Sequence, residues 1–207
     1  MTAPMFVIVR HGNTFGAGEQ PRRIGAATDL PLTPTGLRQA EALGELFAAN
    51  GWHFGRVLVS PLQRTRQTAA AIVASQPFAP DPQPAQFLCE IDHGADENQT
   101  EDEVLARIGR AALAAWDDHA VPPPGWVVNS DERIDSWRHL FASIQVNEAP
   151  ILLVTSNGAA RFALMADPAL SVAARNLPSL KLPTGGYGVI GCGIDGTPSL
   201  VEWGARP

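Results

Sequence analysis

Two cysteines, Cys89 and Cys192, are all that the 207 residues contain, and they lie far apart in no motif. That scarcity excludes a disulfide framework and a zinc-binding pattern, leaving buried free thiols as the expectation. No apolar run approaches membrane-spanning length. Met1-Thr2-Ala3-Pro4 lacks a basic region followed by an apolar signal core. The expectation is a soluble, cytoplasmic protein with no membrane partner. Charged residues are few, at 17%, against 45% hydrophobic, a balance that fits a globular chain and argues against disorder. Net charge of −6 argues against nucleic acid as a partner. A small phosphorylated substrate stays open, because a few arginines make a positive pocket on an acidic protein. No repeat or low-complexity segment interrupts the chain. Its length predicts one domain over residues 1–207 with insertions rather than two domains.

The chain is organised around Phe6-Val7-Ile8-Val9-Arg10-His11-Gly12-Asn13-Thr14. An apolar, β-branched run that stops at arginine, histidine and glycine predicts a buried strand with reactive side chains at its carboxyl end, where open α/β sheets bind ligands. Imidazole attacks phosphorus, guanidinium holds phosphate oxygens as a fork, and glycine admits a ligand close to the backbone. Alone, the tripeptide is a weak signal.

Residues 15–31 lack periodicity and predict a loop carrying Arg22 and Arg23. If it folds over the strand end these arginines contact substrate; a solvated pair is the commoner outcome. Thr33-Pro34 predicts a capped helix start, with Leu37, Ala40, Leu43, Leu46 and Phe47 as its core face. Arg56–Ser60 predicts a second strand, and Ser60-Pro61-Leu62-Gln63 a capping box that starts a helix at about Pro61. Arg64 then sits in the first turn beside the strand end, where it and the helix terminus face one anion. Arg66 points away toward solvent.

Prolines 77, 80, 82 and 84 predict an extended connector without regular structure. It leads to Phe87–Gly94, where an apolar segment delivers Glu90, followed by Asp92, His93, Asp96 and Glu97. The spacing matches no metal-ligand motif, so a polar loop is expected. One carboxyl beside a phosphate pocket is a natural proton donor to a leaving alcohol. Thr100-Glu101-Asp102-Glu103 predicts a capping box for a helix with Val104, Ile108, Ala111, Ala112 and Ala115 on one side. Pro122–Gly125 closes it. Asn129 with Glu132 starts another helix carrying Ile134, Trp137, Leu140, Phe141 and Ile144. Trp116, Trp126 and Trp137 read as packing for this helical part, with a substrate-facing Trp the alternative, and His119 and His139 as surface residues. Ile151–Thr155 predicts a third buried strand, followed by Ser156-Asn157-Gly158 and an apolar helix over 159–165. Asn157 is either an amide donor to a bound anion or a plain helix N-cap. Tyr187–Cys192 and Ser199–Trp203 are the last strands, around the turn at Asp195-Gly196.

Four ordered motifs now stand together: Arg10-His11-Gly12; Gly25 to Thr33 with Gly36 and Gln39-Ala40; Ser60 to Ala69; and Glu90 to Gly94. On these residues the sequence resembles the histidine phosphatase superfamily, the phosphoglycerate mutase-like group, over most of 5–98 and again at 151–158. The resemblance implies an α/β fold: a three-layer αβα sandwich with a mostly parallel central sheet and a helical insert at about 100–147. It implies that His11 is the nucleophile that becomes phosphohistidine, that Arg10 and Arg64 bind the phosphoryl oxygens, and that Glu90 is the general acid and then the base for water. It implies no metal and no cofactor, since fixed arginines and in-line positioning carry phosphoryl transfer.

The chain departs from the family pattern at two positions. The family has a second histidine before glycine at the third strand end, where this chain has Asn157-Gly158. Losing one such electrostatic donor costs about 10²–10³ in rate, with His93 the candidate to compensate. Ala17 stands where many members carry a phosphate-contacting asparagine, with Asn13 the candidate substitute. The expected function is a metal-independent phosphatase for a small phosphate monoester, with Arg10, Arg64, Asn13, Asn157, Gly158, Arg23 and His93 binding substrate. The alternatives are a catalytically weak or silent phosphate-binding protein and a phosphoglycerate mutase-type phosphotransferase.

Overall fold

Phe6, Val7, Ile8 and Val9 are wholly buried on both faces of strand β1 (Met5–Arg10), as a near-continuous apolar run predicts for a central strand. The computed structural model describes residues 5–143, 148–193 and 195–207. In it β1 pairs in parallel with β4 (Ile151–Thr155) and antiparallel with β5 (Tyr187–Cys192). Strands β2 (Arg56–Val59), β3 (Gln83–Pro84) and β6 (Pro198–Ala205) complete a six-stranded sheet in the order β3-β2-β4-β1-β5-β6, with β5 reversed. The two-residue β3 lies inside the connector expected to lack regular structure. Pro84 is tolerated there because an edge strand leaves one side of its backbone unpaired.

Alternation along the strands feeds two cores. Phe6, Ile8, Leu153 and Ile190 point to one, with Trp116, Trp137 and Phe162; Val7, Val9, Leu152 and Val154 point to the other, with Leu43, Phe47 and Ile72. Helices therefore cover both faces, and the fold is the expected three-layer α/β sandwich with a mostly parallel sheet. Among the described residues no helix is long and apolar enough to cross a membrane.

Register decides where the site lies. Arg10 pairs with Thr155, and Val154 pairs with Val59, so β1, β4 and β2 end at one level. After β1 the chain enters α1 (Pro34–Ala49) on the second core, and after β4 it turns into α5 (Asn157–Ala160) on the first. Adjacent strands sending their chains to opposite faces leave a crevice beyond their carboxyl ends.

Local predictions fail where a tertiary partner intervenes. α1 is capped by Thr33, whose hydroxyl accepts the Gly36 N–H at 3.1 Å, but Leu37 is 43% exposed. The buried stripe is Gly36, Ala40, Leu43 and Phe47, and Leu37 lies one residue, about 100°, off it. α2 (Gln63–Ala74) begins two residues later than Pro61, with Leu62 at the N-cap. The Gln63 N–H donates instead to Asp29 Oδ1 at 2.6 Å, so a distant loop replaces the predicted box.

In α3 (Glu101–His119) the Thr100–Glu103 capping box forms, but Gly109 takes φ +82°, ψ 158° and kinks the helix. The kink re-phases the second half. Leu113 and Trp116 are buried with Val104, and Ala111 is exposed. α4 (Ser130–Ser143) buries Trp137, Leu140 and Phe141; Ile144 lies outside the described residues. α6 (Pro168–Ala174) precedes the loop into β5. Cys89 and Cys192 are buried free thiols, and His119 and His139 are exposed.

Candidate active site

His11 follows β1 and is 4% exposed at the floor of a cavity of about 470 Å³. Its backbone N–H continues the β1–β4 ladder to Thr155 O at 3.0 Å, which fixes the ring's origin. Its Nδ1 donates to the Gly12 carbonyl at 2.8 Å. A carbonyl oxygen only accepts, so Nδ1 holds the proton and Nε2 keeps the lone pair. Burial, reinforced by the Arg64 and Arg10 charges, pushes the His11 pKa well below that of ordinary imidazole. The ring is therefore a neutral nucleophile around pH 7.

Arg10 lines the same cavity and donates from Nη1 to the Leu182 carbonyl at 2.9 Å, with Nε unpartnered among the described residues. Burial lowers its pKa, against the pull of Glu90. Arg64 is placed differently from the expectation. It is fully buried, does not line the cavity, and donates to the carbonyls of Thr28 at 2.7 Å and Gly25 at 3.1 Å. It acts from behind the wall, holding the 25–28 loop and adding charge.

Glu90 is 6% exposed and accepts the N–H groups of Ile91 at 2.9 Å and Gly158 at 3.2 Å. Burial pushes its pKa up, but His93, the two N–H groups and Arg64 outweigh it and hold the carboxyl below its usual range. Glu90 is thus a carboxylate in the free protein. His93 also lines the cavity, its ring edge-on to Trp126 with centroids 4.4 Å apart. Its Nδ1 is buried without a partner among the described residues, and burial lowers its pKa.

Asn157 is the first residue of α5, with Ser156 at the N-cap, so it is not the plain cap. Its Oδ1 accepts the Leu182 N–H at 3.1 Å, and among the described residues nothing takes the Nδ2 donors of this side chain, which lines the cavity. Asn13 lines it as well, with Nδ2 on the Phe15 carbonyl at 3.1 Å. Arg22 and Arg23 both reach the cavity: Arg22 lies 6.0 Å from the Phe15 ring centre, and Arg23 pairs with Glu101. The acidic cluster after Glu90 is committed to structure. Glu97 accepts from Gly25 N–H and the Thr28 hydroxyl, and Asp96 from Arg107 and Trp126. Among the described residues no His, Cys, Asp and Glu side chains group to hold a metal ion.

Sequence reasoning missed much of the cavity wall. Asp117, Lys181 and Thr184 line it, and so do Glu101, expected in a capping box alone, and Trp116, for which packing is the expectation and a substrate-facing ring the alternative. Gly185-Gly186 was the one available signal for the 181–186 loop, whose close approach is seen in Gly185 N–H to His11 O at 3.1 Å. Nothing local marks Asp117.

The sequence model of the histidine phosphatase superfamily (branch 1) matches residues 6–205. The chain belongs to that superfamily. It is 29% identical over 159 residues to 2,3-bisphosphoglycerate-dependent phosphoglycerate mutase 2 of Gloeobacter violaceus, covering 74% of this chain and 70% of that protein. It is 36% identical over 66 residues to a broad-specificity phosphatase of Saccharomyces cerevisiae, spanning 32% of this chain and 28% of that protein. Among solved structures, mycobacterial glucosyl-3-phosphoglycerate phosphatase superposes with a TM-score of 0.77 at 21% identity, over 99% of this chain and 100% of that one. Bacillus stearothermophilus YhfR gives 0.75 at 21%, over 99% and 98%. The two structural likenesses are of fold. A superfamily whose relatives here include phosphatases and a mutase fits a strand-end site built from imidazole, guanidinium and carboxylate.

Proposed function

We propose that this member of the superfamily is a cytoplasmic, metal-independent phosphomonoesterase, one domain with α3 and α4 in its helical insert, working through phosphohistidine on His11. The observation that carries the reading is the His11 Nδ1 hydrogen bond to Gly12 O at 2.8 Å, which holds the Nε2 lone pair ready in a cavity shared with Arg10 and Glu90. Nε2 attacks phosphorus, the P–O ester bond breaks in line, and Glu90 gives the leaving oxygen a proton. The Gly12 carbonyl stabilises the positive charge that grows on the ring. Glu90, now a carboxylate, takes a proton from water as it attacks phosphorus, and the N–P bond breaks. Arg10 and the buried Arg64 offset charge on the equatorial oxygens.

Because Glu90 starts as a carboxylate, the proton for the first step comes in with the substrate as its monoanion, whose second pKa is about 6. Asn157 supplies an amide donor in place of a cation, which attenuates the rate in this reading. That feature favours the second reading, a phosphate-ligand-binding protein with weak or no turnover. A mutase-type transfer is the third.

The test uses purified protein in excess chelator with p-nitrophenyl phosphate and an alkyl phosphate. Release of inorganic phosphate, with acid-labile, alkali-stable phosphate on the His11 peptide, supports the hydrolase. Phosphate affinity lost on Arg10→Ala, with turnover no higher than in His11→Ala, would select the binding protein instead.

A further inference from the structure

We infer that the alcohol half of the substrate is uncharged: the site takes phosphate monoesters of a hydroxyl-bearing neutral alcohol and disfavours esters that also carry a carboxylate or a second phosphate. The inference rests on the reading that the phosphoryl group lies against His11. The cavity divides by charge. At the His11 end, Arg10 lines the wall with Arg64 fully buried behind it, and Glu90 is the carboxylate facing them; Arg161, buried against the Trp116 ring, feels both Glu90 and Asp117. That end has surplus positive charge for one phosphoryl group.

The outer end is balanced. Its cations are Arg22, Arg23 and Lys181, and its carboxylates are Glu19, Glu101 and Asp117. Arg23 Nη2 holds both Glu101 oxygens, at 2.7 and 2.6 Å. Lys181, the only lysine in the chain, holds Asp117 at 2.7 Å. Both paired carboxylates come from α3, one at its start and one beyond the Gly109 kink, so the bent helix sets an acid against Arg23 and against Lys181; Arg22 lies over the Phe15 ring instead. Partly exposed pairs of this kind add little to stability. Their effect falls on selectivity, since an anionic alcohol half must either break a pair or rest on Arg22 alone beside three carboxylates. A neutral hydroxylated one instead finds donors and acceptors on fixed groups, with the Phe15 ring for its carbon skeleton.

Glycerol 3-phosphate and 3-phosphoglycerate test this as a matched pair, because they differ only in a CH₂OH replaced by carboxylate. Calorimetric titration of both into His11→Ala, or into His11→Asn should the alanine variant misfold, reads affinity without turnover. We expect glycerol 3-phosphate to bind at least tenfold tighter. Adding Glu101→Gln and Asp117→Asn is expected to move the affinity ratio at least fivefold toward 3-phosphoglycerate. Equal or tighter binding of 3-phosphoglycerate overturns the inference, and so does an unmoved ratio or no binding of either ester. If the ratio holds while the unsubstituted protein releases no phosphate, the hydrolase reading falls and this one stands.

Discussion

Arg10 and Asn157 are held by one residue between them: Arg10 Nη1 donates to the Leu182 carbonyl at 2.9 Å, and the Leu182 N–H donates to Asn157 Oδ1 at 3.1 Å. The cation at the end of β1 and the amide after β4 are thereby tied to a loop that arrives from far along the chain. Asn157 has two tasks, anchoring that loop and offering Nδ2 to the cavity.

Asn157→His separates those tasks. A neutral histidine ring can accept the Leu182 N–H at Nδ1 while its Nε2–H donates into the cavity, and a cationic ring, protonated at both nitrogens, faces the phosphoryl group at the expense of that anchor. The expected outcome is a rise in kcat of at least tenfold, within the roughly 10²–10³ that one electrostatic donor supplies. Asn157→Ala leaves the Leu182 N–H without its acceptor and loosens Arg10, so phosphate binds several-fold more weakly. An unchanged kcat in the histidine variant would mean that the amide is itself built into the mechanism.

Glu90→Gln tests the proton donor through the leaving group. An alkoxide needs a proton and p-nitrophenolate does not, so the alkyl ester should lose about 10²–10⁴ in its first step and p-nitrophenyl phosphate far less. Pre-steady-state release of the two alcohols is the measurement. Equal losses for both esters would assign Glu90 to positioning. In the unsubstituted protein kcat/KM for the alkyl ester should fall above about pH 6, as the substrate monoanion disappears.

How much of this was legible follows from how local each signal is. β1, β2 and β4 were readable because buried parallel strands are short apolar runs, and their motifs met because Arg10, Thr155, Val154 and Val59 share a register. The start of α2 was not, because its cap is Asp29, 34 residues upstream of Gln63. The α3 face was misread because Gly109 breaks a period that looks continuous in sequence. Arg64 was expected in the cavity from its place in a first turn, but the carbonyls of Thr28 and Gly25 draw it behind the wall. Asp117 and Lys181 lie 64 residues apart, and only the folded chain shows that they pair.

His11 and His93 both have pKa values lowered by burial, and stability should record this. With a folded pKa below the unfolded value of about 6.5, each ring stays neutral while the unfolded chain takes up a proton. Stability is then full above pH 6.5 and is lost as pH falls toward the folded pKa, by about 1.4 kcal/mol per pH unit for each histidine. Urea unfolding between pH 7.5 and 5.5 measures the slope. His11→Asn should remove the larger share of it, because the His11 value is pushed well below that of ordinary imidazole while Glu90 pulls the His93 value back up, and an unaltered slope would place the proton uptake elsewhere.

Gly12 and Gly158 make opposite predictions although each is a glycine packed tightly at the site. A Cβ on Gly12 would lie 2.2 Å from the Gly36 carbonyl oxygen, a backbone atom in the first turn of α1. A Cβ on Gly158 would lie 2.3 Å from Glu90 Oε1 and 2.6 Å from Ile91 Cγ1, both side-chain atoms. Backbone cannot yield without parting β1 from α1, so Gly12→Ala should cost at least the roughly 1–3 kcal/mol of overpacking and lower the melting temperature. Glu90 can yield by rotating away from the Ile91 and Gly158 N–H groups. Gly158→Ala should therefore melt nearer the unsubstituted protein, yet lose about 10²-fold in kcat on an alkyl phosphate, the cost of a proton donor misplaced by about 1 Å. Melting curves and kcat on the two variants check the contrast. Full activity in a folded Gly158→Ala protein would remove Glu90 from the chemistry.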